Sequence, residues 1–172
     1  MLKLFNFFLD VCLLRRAPQD LPASTSLFAV SVALSVIVGA IGVADVIKGV
    51  SALAAAMLDA VIALVMLRLV LMIQNHIARF LQTATAVFGS SVILGLIALP
   101  LQLVIGDAGN ESPMAPFVSV AYLLLLIWVQ VVIGHILRHA LNISLSLGIG
   151  LALTYSIVSG VIIQTLFLNS PM

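Results

Sequence analysis

Five long apolar runs separated by short polar breaks leave this chain few ways to fold. The first, residues 27–47, is about 21 residues long. At a helical rise of about 1.5 Å per residue it matches a hydrocarbon core roughly 30 Å thick. Similar runs cover residues 51–73, 81–105, 117–137 and 141–168. Backbone N–H and C=O groups find no water in a bilayer core, so each run must satisfy them internally as a helix. With 63% hydrophobic and 8% charged residues, the chain lacks the polar surface to coat a water-soluble globule. The expected fold is an all-α integral membrane protein with five transmembrane helices forming one domain over residues 24–172.

Residues 1–23 read differently. Asn6 and Asp10 interrupt the apolar run, and Arg15-Arg16 follows where a small-residue cleavage site would stand, which argues against a signal peptide. At 100° per residue, Lys3, Asn6 and Asp10 share one helical face while Phe5, Phe8, Leu9 and Cys12 spread over the other. This pattern predicts an amphipathic helix in the membrane interface, its aromatic face in the acyl boundary and Cys12 facing lipid. Pro18 and Pro22 then impose a connector, and Ser24, Thr25 or Ser26 is available to cap the first span. Pro100 is expected to kink the third span or end it early.

Counting cations by side sets the expected orientation. With the N-terminus inside, Lys3, Arg15, Arg16, Arg68, Arg79 and Arg138 lie at the inner face and Lys48 alone outside. The positive-inside rule therefore predicts a cell inner (cytoplasmic) membrane protein with a cytoplasmic N-terminus and an outer C-terminus. Asp107 and Glu111 fall in the outer loop. The formal net charge of +1 and the lack of clustered Lys and Arg predict no nucleic-acid partner.

His76-Ile77-Ala78-Arg79 returns as His135-Ile136-Leu137-Arg138, each copy between two apolar runs. Aligning them also matches Gly89 with Gly148 and Leu94 with Leu153, so the last four spans read as two parallel repeated hairpins. The layout of a short N-terminal segment, the Arg15-Arg16-Ala17-Pro18-Gln19-Asp20-Leu21-Pro22 connector and five closely spaced spans resembles the small bacterial Yip1-type membrane proteins. The resemblance implies a non-enzymatic adaptor or accessory protein and carries over no catalytic residue.

Few polar residues lie within the spans. Asp59 and Arg68 share the second span but stand on opposite sides of the helix, so they cannot pair. Asp59 falls near mid-membrane, where an ionised carboxylate is costly unless partnered. Tyr122, Tyr155, Ser156 and Ser159 lie at comparable depth. The expectation is a carboxyl group hydrogen-bonded to such a hydroxyl, either as a packing device or as a proton or cation site. Arg68 is expected to snorkel to the headgroups, and Gln130 to bridge helices. Arg15, Arg16, His76, Arg79, His135, Arg138 and His139 together predict a cationic rim for anionic headgroups. His135 and His139 have the i, i+4 spacing of a metal pair, yet no carboxylate or thiol is near them in sequence, so no metal or cofactor is expected.

Gly89-Ser90-Ser91 lacks the second glycine of a nucleophile motif, and no Lys-terminated phosphate loop occurs. The expectation is therefore a non-enzyme acting through helix–helix and lipid contacts with other membrane subunits or itself. A small transporter or channel using Asp59 is the alternative.

Overall fold

The computed structural model describes residues 2–47, 49–108 and 114–168. Lys48, Glu111 with the rest of 109–113, residues 169–172, and the side chains of Lys3 and Asp107 lie outside the described residues. Among the described residues six α-helices follow in order: α1 (Leu2–Cys12), α2 (Thr25–Val43), α3 (Val50–Ile73), α4 (Phe80–Ala108), α5 (Ala115–Leu141) and α6 (Leu145–Ile163). A π-turn at Gln164–Leu168 prolongs α6. Helices α2 to α6 are long and apolar enough to cross a membrane, so the chain is a multi-pass membrane protein.

Local chemistry sets the helix ends. Ser24 Oγ accepts the Leu27 N–H at 3.4 Å and Ser144 Oγ the Leu147 N–H at 3.3 Å, each taking up one orphan donor of a first turn. Of the two outcomes expected for Pro100, early termination does not occur: it stands on an exposed face within α4, which runs on to Ala108. Three helices finish on a left-handed residue: Leu14 (φ 61°), Asn75 (φ 57°) and Asn142 (φ 56°). In each case the next N–H reaches back five residues: Arg15 to Asp10 at 2.8 Å, His76 to Leu71 at 2.8 Å and Ile143 to Arg138 at 3.2 Å. Asparagine tolerates this cap better than most non-glycine residues.

These caps correct the reading of the bends. Asn75 and Asn142 are the matching turn residues, not His76 and His135. His76 lies in the bend itself, whereas His135 lies inside α5, which continues to Leu141. The hairpins also pack differently. Helices α5 and α6 lie against each other, but α3 and α4 touch only lightly because α2 is inserted between them.

The spatial order is a ring. Helix α2 packs against α3 and α4, α4 against α5, α5 against α6, and α6 returns to α3. Glycines permit the tightest approaches. A Cβ at Gly148 would lie 2.3 Å from the Gly134 carbonyl oxygen, and one at Gly95 would lie 2.7 Å from Val38 Cγ1. Leu67, Leu71, Phe88, Leu137 and Leu141 seal the end of the ring that carries the histidines. Ile47, Ala52 and Ala55, with Ile163 and Phe167, close the opposite end.

Helix α1 departs from its expected place. Phe5 is 53% exposed, but Phe8 and Cys12, both assigned to the lipid boundary, are buried with Phe7 and Val11 against Ala86, Ile93, Val132 and Ile136 of α4 and α5. The missing side chain of Gly89 makes the notch, since a Cβ there would stand 2.2 Å from Phe8 Cε1. Trp128 Nε1 donates to the Cys12 carbonyl at 3.1 Å, satisfying an orphan acceptor at the end of α1. Gly89 lies nine residues past Phe80, so α1 is sunk about 14 Å below the start of α4. Phe7, Phe8, Val11 and Cys12 of α1 are therefore spent on protein contacts, while Phe5 stays exposed.

Candidate functional site

The polar residues of the spans converge on the middle of the ring. Asp59 lies nine residues into α3, about 14 Å from its first residue. On α6, Tyr155 and Ser159 are four residues apart and share a face. Tyr155 Oη donates to Asp59 Oδ1 at 2.7 Å, and Ser159 Oγ donates to the same oxygen. Tyr155 and Ser159 are thus the hydroxyls, of those expected, that meet Asp59. These bonds cross the seam between α3 and α6. Asp59 Oδ2 has no protein partner, and no cation is paired with Asp59, among the described residues.

Asp59 lines a cavity of about 570 Å³ to which all five spanning helices contribute. Its walls are mostly small or apolar: Gly39 and Gly42 of α2, Ala56 and Ala60 of α3, Gly95 and Ala98 of α4. Ser91, Gln102, Tyr155, Ser156 and Ser159 supply polar points, and no Lys, Arg or His lines it among the described residues. A smaller apolar cavity of about 50 Å³ adjoins it toward the histidine end, sharing Val87, Phe88, Ile133 and Tyr155 as a common wall.

The remaining polar groups of the spans hold the frame. Gln130 Nε2 donates to Ser156 Oγ at 3.0 Å, bridging α5 to α6. Tyr122 does not reach Asp59; its hydroxyl accepts from Gln102 Nε2 at 2.9 Å. Gln102 was missed as a candidate, although an amide within an apolar run is the same signal that marked Gln130. Arg68 is exposed on α3, five residues before Ile73.

The expected rim divides into two groups. Arg15, Arg16 and Arg138 are exposed, and Arg16 pairs with Asp10 at 3.1 Å. Arg79 turns inward, where its Nη1 donates to the carbonyls of His139 at 3.4 Å and Ala140 at 3.2 Å. A cation at that place also answers the negative end of the α5 dipole. His135 is 8% exposed, its Nε2 lies 3.2 Å from the Arg16 carbonyl, and its ring stacks edge-on with His139 at 4.5 Å. Gln19 and Gln82 add bonds to the His139 and Leu21 carbonyls at 2.6 and 2.8 Å. These groups stitch the connector after α1 to α4 and α5. The histidine end is thus a built joint as well as a charged surface.

No protein-family model matches the chain, and neither the curated proteins nor the solved structures give a match.

Proposed function

We propose that this protein is a small transporter-type membrane protein whose central cavity receives a cationic solute, with Asp59 as the charge that holds it. One observation carries the reading: a carboxylate with one oxygen committed to two hydroxyls and the other unpartnered lines a cavity of about 570 Å³ that has no basic lining residue among those described. An uncompensated carboxylate in a low-dielectric pocket favours a cation there and disfavours an anion. The two hydroxyl donors fix its orientation. Gly39, Gly42 and Gly95 lie on this cavity wall and leave room for a ligand, which supports a binding chamber.

A second reading, as an adaptor or accessory subunit, has its own support in α2. Only 6% of its most apolar window is buried, and Val30, Leu34, Ile37 and Ile41 form an exposed stripe along it. In either reading the exposed Arg15, Arg16 and Arg138 support an orientation with the histidine end at an anionic leaflet and the N-terminus inside.

Proteoliposomes loaded with a pH-sensitive dye test the transport reading. The wild type is expected to couple cation entry to a pH or charge movement, and Asp59→Asn to abolish it. No flux in the wild type, or equal flux in both, refutes the proposal.

A further inference from the structure

We infer that the solute is a monovalent organic cation with an apolar body, not a bare metal ion. The inference rests on the transport reading above and names the ligand class for the same cavity.

Size is the first constraint. A bare Na⁺ or K⁺ needs a tight cage of oxygen atoms, whereas about 570 Å³ falls in the range of pockets that hold small organic ligands. The adjoining apolar cavity extends this space past Phe88 and Tyr155 toward the histidine end.

The available oxygens are the second. The protons of Tyr155 and Ser159 point at Asp59, Ser91 donates to the Val87 carbonyl at 2.9 Å, and Ser156 is engaged with Gln130. Asp59 is thus the single anionic group facing a large space, and the neutral oxygens of Ser35, Ser91, Gln102, Tyr155, Ser156 and Ser159 are spread over three helices, which matches a single ammonium-type or phosphonium-type charge better than a compact ion cage. A divalent or polycationic ligand would leave charge uncompensated, because Asp59 is the one charged residue on the wall among those described.

The distribution of polarity is the third. Asp59, Tyr155 and Ser159 gather at the α3–α6 seam, while the α2 and α4 walls are uncharged and present mostly small and apolar residues such as Gly39, Gly95 and Ala98 beside the neutral Ser35, Ser91 and Gln102. A ligand seated there meets charge on one side and apolar surface on the other. The rings of Phe88 and Tyr155 also line the space, offering faces that attract organic cations.

Tetraphenylphosphonium is a suitable probe, titrated against the full-length protein in lipid nanodiscs, with empty nanodiscs measuring partition into lipid. The expected result is saturable one-to-one binding that 100 mM NaCl does not displace. Asp59→Asn is expected to weaken it about 30-fold or more, the smaller end of what removing one partner of a desolvated charge pair costs. Gly39→Leu reduces the cavity from the α2 wall, where there is room for the substitution, since a Cβ at Gly39 meets only Ala56 Cβ at 3.7 Å. This variant, checked by its melting curve, should weaken tetraphenylphosphonium binding at least about tenfold. Displacement by Na⁺, binding unaltered in Asp59→Asn, or no binding at all overturns the inference. If tetraphenylphosphonium does not bind but the wild type still moves protons or Na⁺ in proteoliposomes, the ligand class falls and the transport reading stands. Absence of both removes both.

Discussion

Gly148 and Gly150 are two residues apart on one helix, yet alanine at each should shift stability in opposite directions. At Gly148 a Cβ would stand 2.3 Å from the Gly134 carbonyl oxygen and 3.1 Å from its carbonyl carbon. Both atoms are backbone, so no side chain can rotate away, and relief requires α5 and α6 to part by about 1 Å to regain ordinary contact distance. A gap of that size forfeits roughly a quarter to a half of the dispersion energy along the interface. It also stretches the Gln130–Ser156 bond from 3.0 Å past hydrogen-bonding range. Overpacking of this kind costs about 1–3 kcal/mol. Alanine's better helix propensity returns up to about 1 kcal/mol, and the lost polar bridge adds about 1 kcal/mol. The net expectation for Gly148→Ala is about 2 kcal/mol of destabilisation. At Gly150 no atom lies within 4 Å of the new Cβ, so Gly150→Ala should be neutral or stabilising by up to about 1 kcal/mol. Equilibrium unfolding in mixed micelles, followed by loss of helical ellipticity, measures both. Equal stability of Gly148→Ala and the wild type, or equal destabilisation by the two variants, refutes the backbone-contact account of the α5–α6 interface.

Two other outcomes follow from the packing of α1 and from the charge distribution. Cys12, the only cysteine, is 4% exposed and burial pushes its thiol pKa up, so at pH 8 it stays largely protonated and should react slowly with maleimide. Gly89→Leu should drive Phe8 from its notch and speed that labelling at least about tenfold, as expected for loss of more than about 1.4 kcal/mol of docking energy; unchanged labelling would remove the docked position of α1. Reporter fusions near residue 111 and at the C-terminus should both report the outer side, and a cytoplasmic signal from either contradicts the orientation proposed from the positive-inside bias.

Much of the fold was legible because hydropathy is local information. The five spans and the serine cap at the start of the first can be read from runs and single residues. The companions of Asp59 were legible for a related reason: helical rise converts residue number into depth, and depth alone brings Tyr155 and Ser159 level with it. Depth does not fix azimuth, however, which is why Tyr122 was grouped with them and in fact bonds to Gln102.

What stayed hidden depends on which surfaces fit each other. The face of α1 bearing Phe8 and Cys12 is as well suited to acyl chains as to a protein groove, and only the notch at Gly89 decides between them. The insertion of α2 between α3 and α4 likewise depends on Val38 meeting Gly95. Identity misled at the bends: the His-x-x-Arg copies attract the eye, while the backbone answers to Asn75 and Asn142, whose left-handed geometry turns the chain.

The inward turn of Arg79 bears on how the molecule is made. Its acceptors at His139 and Ala140 lie 60 and 61 residues further along the chain. At about 5–20 residues per second of synthesis, they emerge roughly 3–12 s after it. Throughout that interval the guanidinium lacks these two acceptors, and α4 lacks the end of α5. The joint at the histidine end therefore closes late in biosynthesis, when the end of α5 returns to an arginine placed there two helices earlier.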